Sequence, residues 1–246
     1  MPAPLVVARG RTLPEAWERS LVGLAEAGER IFTEYGEWSV DAPAVIVVEE
    51  PFSEPRVHLK GVVAGSLKGL EEYAAEVADG VHDGRVGEYG YTYHERLFAY
   101  RLPGGGVVDQ VAQALAKLAE APHSRRAQAV TWQPWRDPQS EHPPCLQRLW
   151  FRVVGGRLHM HAHMRSNDAL KAAFMNIYAF TELQRRLAER LGVGAGRYLH
   201  FADSYHVYER DLKWFQKFVG QIRSGESRRY WRATEEYRRM AGLEKT

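Results

Sequence analysis

The sequence of 246 residues contains a single cysteine, Cys145. That excludes an intramolecular disulfide framework and any centre that needs several thiolates. An excess of one charge is also missing: 33 Lys and Arg stand against 31 Asp and Glu, a formal net charge of +2. Bulk charge therefore argues against a strongly basic nucleic-acid binder. Long apolar runs are absent. The aliphatic run 44–48 falls far short of the roughly 20 residues needed to cross a bilayer. The first eleven residues lack the apolar stretch of a secretory signal. There is no repeat, low-complexity segment or linker-like stretch. These absences lead to the expectation of one cytoplasmic domain over residues 1–246, with no membrane partner.

Periodicity gives the coarse architecture. Thr12 to Glu15 has the form of a capping box with Pro14 in the first turn. It opens a helix with Trp17, Leu21 and Leu24 on one face, stopping near Gly28. The run 44–48 predicts a buried strand. Ser66 is expected to cap a second helix carrying Leu70, Tyr73 and Val77. Val108, Val111, Leu115 and Leu118 mark a third, and 127–132 a strand. The clearest signal is the pair of strand-like runs 147–154 and 157–164, joined by Gly155-Gly156. A long helix is expected over 168–191, a short strand over 198–202, and two helices over 209–222 and 226–240. Interleaved strands and helices point to a mixed α/β (α+β) fold.

Three groups of residues can carry chemistry. Cys145 follows Pro143-Pro144 at the mouth of a predicted strand. It is either a small buried hydrophobe or a nucleophile, which would require nearby positive charge. Arg125, Arg126 and Arg165 stand at predicted element edges. With Ser124 and Ser166 they suit a phosphate, because the guanidinium fork matches phosphate oxygens. His159, His161 and His163 alternate along a strand and face one way. They form either a polar sheet face or a metal-ligand row; no acidic or thiol partner stands beside them, so no metal is expected.

The combination of Ser124-Arg125-Arg126, Pro143-Pro144-Cys145, Arg165-Ser166-Asn167-Asp168, Asn176 and His206-Val207-Tyr208 resembles the thymidylate synthase family. The order of these pieces and the spacing from Cys145 to Asn176 both match. Cys145-Leu146-Gln147, the segment Tyr91 to Arg96 and the segment Tyr208 to Asp211 are most similar to the shorter, archaeal-type members. Pyrimidine nucleotide hydroxymethylases share the framework.

The resemblance implies a large mixed sheet that packs against its twin in a homodimer, with flanking helices. It implies that Cys145 adds to carbon 6 of a pyrimidine nucleotide, so that carbon 5 attacks the one-carbon unit of 5,10-methylenetetrahydrofolate or a related methylene-tetrahydropterin. Arg165 and Ser166 would hold the nucleotide phosphate, with Arg125 and Arg126 reaching in from the second subunit. Asn176 would read the base edge, His206 and Tyr208 the sugar hydroxyl, and Asp168 the pterin. Tyr91 belongs to the Tyr-rich segment of the catalytic set. Glu54 fits the spacing of the family's general base best, with Glu71 and Glu72 as rivals. Tyr205 occupies a position next to His206 where a smaller residue is usual. The lead reading is dUMP methylation. The rivals are 5-hydroxymethylation of dUMP, UMP, dCMP or CMP, and a catalytically silent homologue that binds a nucleotide or RNA. On spacing alone, Asp168 and Asn176 lie eight residues apart on one helix, about 2.2 turns, and so face one side.

Overall fold

The computed structural model describes residues 4–62 and 66–243. In chain order the elements are β1 (Val6–Gly10), α1 (Leu13–Ala27), β2 (Glu29–Phe32), β3 (Trp38–Val48), β4 (Val57–His58), α2 (Gly69–Asp79), α3 (Val86–Tyr89), α4 (Tyr93–Phe98), β5 (Tyr100–Arg101), β6 (Val107–Val108), α5 (Gln110–Glu120) and β7 (Gln128–Val130). Then come β8 (Leu146–Val154), β9 (Arg157–Met164), β10 (Asn167–Asp168), α6 (Ala173–Arg190), β11 (Gly194–Tyr208), α7 (Leu212–Ser224), β12 (Trp231–Arg232) and α8 (Thr234–Met240).

Eight strands make one mixed sheet in the order β1-β3-β11-β9-β8-β7, with β2 added to β3 and β10 to β11. The pairs β1–β3, β9–β11 and β10–β11 are parallel, and the remaining pairs are antiparallel. The mixed α/β class expected from the sequence is therefore the one observed. The period-2 alternation sorts the strands' side chains. Ala44, Ile46 and Val48 of β3, Leu158, Met160, Ala162 and Met164 of β9, and Leu149 and Phe151 of β8 all point into the core. Helix α6 packs beneath β9 and β11 and is itself flanked by α1 and α2. It is buried around most of its circumference, with Phe174, Ile177, Tyr178, Phe180 and Leu183 all inside. A helix packed on several sides reads as a central core element. Each such side chain contributes about 1.5–3 kcal/mol of burial.

The opposite sheet face is only half covered. It carries Val45, Val47, Leu199, Phe201, Arg148, Trp150, Arg152 and the three histidines. His159, His161 and His163 do share that face. His161 packs against the Trp150 ring with centroids 4.7 Å apart, and His163 Nε2 lies 2.8 Å from Asp203 Oδ2. No helix of the described residues is long and apolar enough to cross a membrane.

Several boundaries differ from the sequence expectation, each for a local reason. The long helix starts at Ala173 rather than at 168. Asn167 and Asp168 instead pair with Tyr205 and His206 of β11. Asp168 Oδ1 then accepts the N–H groups of Leu170 and Lys171, turning the chain before the helix can begin. Asp168 and Asn176 therefore do not share a helix, and the 2.2-turn argument fails. The short strand at 198–202 is the middle of the 15-residue β11. Register shifts at 195/198 and at 202/205 break the alternation that would have revealed its ends. Ser66 does not cap α2, whose N-cap position is Lys68. Val108 lies in β6, and Asp109 caps α5 by accepting the Ala112 N–H. Thr12 does precede α1, yet its side chain makes no cap bond; Glu15 accepts the Arg11 N–H instead. The expected helix 226–240 is a 3-10 turn, strand β12 and the short α8, because Trp231 and Arg232 pair with β4.

Candidate active site

The β8–β9 hairpin assembles the first part of the site. Gly155 and Gly156 take φ of 57° and 70°, as a two-residue turn between twisted strands demands. The register set there, with one bulge at Gln147, brings Leu146 opposite Met164. Cys145 and Arg165 are consequently neighbours at the open end, where Arg165 N–H donates to Cys145 O at 2.8 Å. The Arg165 guanidinium then clamps the Pro-Pro pair, with Nη2 to Pro143 O at 2.8 Å and Nε to Pro144 O at 3.1 Å. Two prolines have no N–H and limited φ, so their carbonyls are fixed acceptors. Arg165 holds the cysteine loop while keeping its charge beside the sulfur.

Several further elements line a cavity of about 330 Å³ around Cys145, Tyr73 of α2 and Tyr93 of α4 among them. Arg165, Ser166 and Asp168 come from the β9–β10 junction, Asn176 from α6, and His206 and Tyr208 from the end of β11. His206 is buried, with Nδ1 3.1 Å from Ser204 Oγ, and Ser204 in turn donates to Asp41. The Tyr208 ring stands edge-on to His206, centroids 4.8 Å apart. Asn167, also on the wall, accepts at Oδ1 from His200 Nε2 at 2.8 Å. Burial holds His200 neutral, its pKa pushed down to about 3. A neutral ring that donates at Nε2 must accept at Nδ1, which Tyr198 OH supplies at 2.8 Å. Tyr205 does not line the cavity. Its hydroxyl is 2.7 Å from Ser20 Oγ of α1, on the core side.

Burial pushes the Cys145 thiol up from its ordinary value, and the Arg165 cation pulls it partly back. The thiolate is the reactive form. Labelling of Cys145 by iodoacetamide in the ligand-free protein should therefore keep accelerating through pH 9. Arg165→Ala should move that profile to still higher pH. A labelling rate that levels off below pH 8 would contradict this balance of burial and charge.

Not all expected site residues meet here. Arg125 and Arg126 have exposed side chains in the turn before β7 and do not line the cavity of their own chain. Glu54 is not brought to Cys145. Its Oε2 accepts the Arg56 N–H at 2.8 Å and the Thr234 N–H at 3.1 Å, tying the 51–56 turn to the start of α8. It lines a separate cleft with Glu71 and Arg238, and Glu72 is exposed. None of the three glutamates lines the Cys145 cavity. Tyr91 lies on the wall of an adjoining cavity of about 430 Å³ with Glu76, His82, Thr92 and His142. Burial first, and then the nearby cysteine sulfur, push its phenol up to about 12.

Sequence reasoning missed Tyr73 and Tyr93, which line both cavities, and Tyr35 and Asn167, which line the first. Helical periodicity places Tyr73 on the inward face of α2 with Leu70 and Val77. The signal that separates it from Leu70 and Val77 is the hydroxyl, which a packed core position would have to satisfy.

A family model described as thymidylate synthase matches residues 23–228. A Methanopyrus kandleri protein named "Putative thymidylate synthase" is 34% identical over 211 residues, covering 85% of this chain and 95% of that one. Proteins of the same name from Methanosarcina barkeri and Methanosarcina mazei are 29% and 30% identical over 87% and 88% of this chain, and 94% and 95% of their own. A cysteine, an arginine clamp and the polar side chains of Asn176, His206 and Tyr208 surround one cavity, and with this match over most of its length the chain belongs to the thymidylate synthase family.

Proposed function

We propose that this protein methylates carbon 5 of dUMP, with a methylene-tetrahydropterin as co-substrate. The observation that carries the reading is the convergence of Cys145, Arg165, Ser166, Asn176, His206 and Tyr208, drawn from separate stretches of chain, on one cavity. Arg165 and Ser166 hold the phosphate, His206 and Tyr208 the sugar hydroxyl, and Asn176 the polar edge of the base. The Cys145 thiolate forms a bond to carbon 6, and the C5–C6 electron pair moves onto carbon 5 and the carbon-4 oxygen. The Asn176 amide N–H faces that developing charge, and a donor fixed in a largely buried site stabilises it more than water would. Carbon 5 would bond to the one-carbon unit and release its proton to water, the bond from that unit to the pterin nitrogen would break, hydride would complete the methyl group, and departure of the sulfur would restore the C5–C6 double bond and the thiolate.

The residues present fit the pterin. Asp168 offers a carboxylate whose orientation is fixed by two backbone N–H groups. The aromatic walls of the adjoining cavity, Tyr73, Tyr91 and Tyr93, suit a flat ring. When bound, the pterin supplies the one-carbon unit and the hydride. Glu54, engaged with Arg56 and Thr234, is left out of this chemistry.

The reading includes a homodimer formed across the half-covered sheet face. Val45, Val47, Leu199, Phe201 and Trp150 supply its apolar area, and Arg125 and Arg126 of the second copy complete the phosphate site. Arg126→Ala should weaken binding of the nucleotide far more than of the nucleoside. Mixing inactive Arg126→Ala and Cys145→Ala chains should restore part of the activity. Absence of rescue with proven subunit exchange would contradict shared sites.

The direct test is incubation with dUMP, UMP, dCMP and CMP plus methylenetetrahydrofolate, read by mass spectrometry. A methylated uracil deoxynucleotide supports the reading. An added oxygen would move the protein to hydroxymethylation, and no product from any substrate would leave a nucleotide or RNA binder.

A further inference from the structure

Tyr73 stands on α2, the helix that packs along α6. Its hydroxyl donates to Asn176 Oδ1 at 2.6 Å. An amide side chain has two rotations that exchange oxygen and nitrogen, and they present opposite patterns to a ligand. The Tyr73 bond holds Oδ1 on the α2 side and fixes where Nδ2 stands. Uracil shows a carbonyl beside a ring N–H; cytosine shows an amino group beside a bare ring nitrogen. These two edges are inverse patterns of acceptor and donor. A freely turning amide satisfies either edge, whereas a locked amide satisfies one.

We propose that Tyr73 is the residue that sets the pyrimidine preference of this site, by locking the rotation of Asn176. The inference rests on the reading of Asn176 as the base-binding residue.

Two features support a lock rather than an incidental contact. Burial, and then the neighbouring carboxylate Glu76, push the Tyr73 phenol well above its ordinary value, so it keeps its proton and remains a donor at any working pH. A turned-over amide would aim Nδ2 at that hydroxyl and leave the phenolic proton to find another acceptor. The other polar groups close by are the Glu76 carboxylate, already met by His82 Nδ1 at 2.8 Å, the Tyr91 and Tyr93 hydroxyls and the Cys145 thiol. Tyr93 O is already engaged as the acceptor of the Leu146 N–H at 3.3 Å. Turning the amide therefore gives up the 2.6 Å bond to Asn176 Oδ1, and unmatched polar groups of this kind are what give hydrogen-bonding sites their discrimination.

Tyr73→Phe removes the hydroxyl and keeps the ring, so the packing of α2 on α6 is retained. The test is equilibrium binding of dUMP and dCMP to the full chain. The wild type should favour dUMP by about tenfold or more, and Tyr73→Phe should bring the ratio below about threefold, mainly by strengthening dCMP. Because a structural defect would weaken both nucleotides together, the ratio is the informative readout. In an Asn176→Ala background, Tyr73→Phe should leave the ratio unmoved. A ratio unchanged by Tyr73→Phe, a parallel loss of both affinities, or an equal shift in the Asn176→Ala background would each overturn the proposal. If the wild type binds neither nucleotide, the functional reading falls and this inference falls with it. If the wild type binds dUMP selectively and Tyr73→Phe does so equally, only this inference falls.

Discussion

Cys145→Ala is expected to lower turnover by on the order of 10⁴-fold or more while leaving the affinity for dUMP within a few fold of wild type. Binding and chemistry draw on two separate sets of contacts. The proposed binding contacts within this cavity come from groups other than the sulfur: the Arg165 guanidinium, the Ser166 hydroxyl, the Asn176 amide, and the His206 and Tyr208 side chains. The reaction, in contrast, begins with a carbon–sulfur bond that no neighbour can replace. Ser166 is a poor substitute nucleophile, since no side-chain base is hydrogen-bonded to it among the described residues. The measurement is a pair: single-turnover rate and equilibrium dissociation constant for the same variant. A variant that retains a few per cent of the rate would contradict covalent catalysis. One that loses binding in proportion to rate would show that the cysteine mainly supports the cavity.

The second large effect is on stability. Arg96 of α4 is fully buried and makes a two-pronged pair with Asp137, Nη1 to Oδ2 and Nη2 to Oδ1, both at 2.8 Å. Nη1 also donates to Thr131 O at 2.8 Å, and Asp137 accepts the Gln133 N–H at 2.6 Å. This network ties α4 to the 131–137 loop, on the stretch of chain that leads to Cys145. Arg96→Ala leaves the Asp137 carboxylate buried beside a void. The expected cost is about 3–5 kcal/mol. For a chain of this size that corresponds to a drop in Tm of roughly 6–20 °C. Removing both charges together, as Arg96→Met with Asp137→Leu, should recover much of the loss, because the penalty comes from the orphaned charge rather than from the absence of the pair. Urea unfolding of the three proteins measures this. A single-variant cost below about 1 kcal/mol would mean that water reaches Asp137 and that the network does not hold the loop.

The hairpin was legible because two independent signals coincided: alternation in 147–154 and 157–164, and two glycines between them. Its register then placed Cys145 beside Arg165, a proximity that sequence spacing of 20 residues does not reveal. The Asn176 and His206 positions were legible through their resemblance to a family pattern, and the cavity brings both to Cys145. Glu54 fits the family's general base by spacing alone, and spacing carries no information about direction. Its carboxylate is engaged by backbone N–H groups at 56 and 234, partners far apart in sequence. Tyr73 shows the complementary failure. Helical periodicity correctly put it on the inward face of α2, but inward meant a cavity wall at one turn and packed core at the next. Strand β11 was half hidden for a third reason. Two register shifts alter the alternation, and buried polar residues such as His200 stand where apolar ones are expected.

In the proposed reaction Cys145 adds to the pyrimidine and the same ring then takes up the pterin's carbon. A 5-fluoro analogue of dUMP isolates that sequence, because fluorine at carbon 5 cannot depart as the proton does, and the reaction stops with every bond still in place. Protein incubated with this analogue and methylenetetrahydrofolate, then digested and mapped by mass spectrometry, should carry nucleotide and pterin together on the peptide containing Cys145. The adduct should be absent from Cys145→Ala and should not form without the pterin in comparable yield. Intact protein with no adduct, or an adduct on any other residue, would contradict the claim.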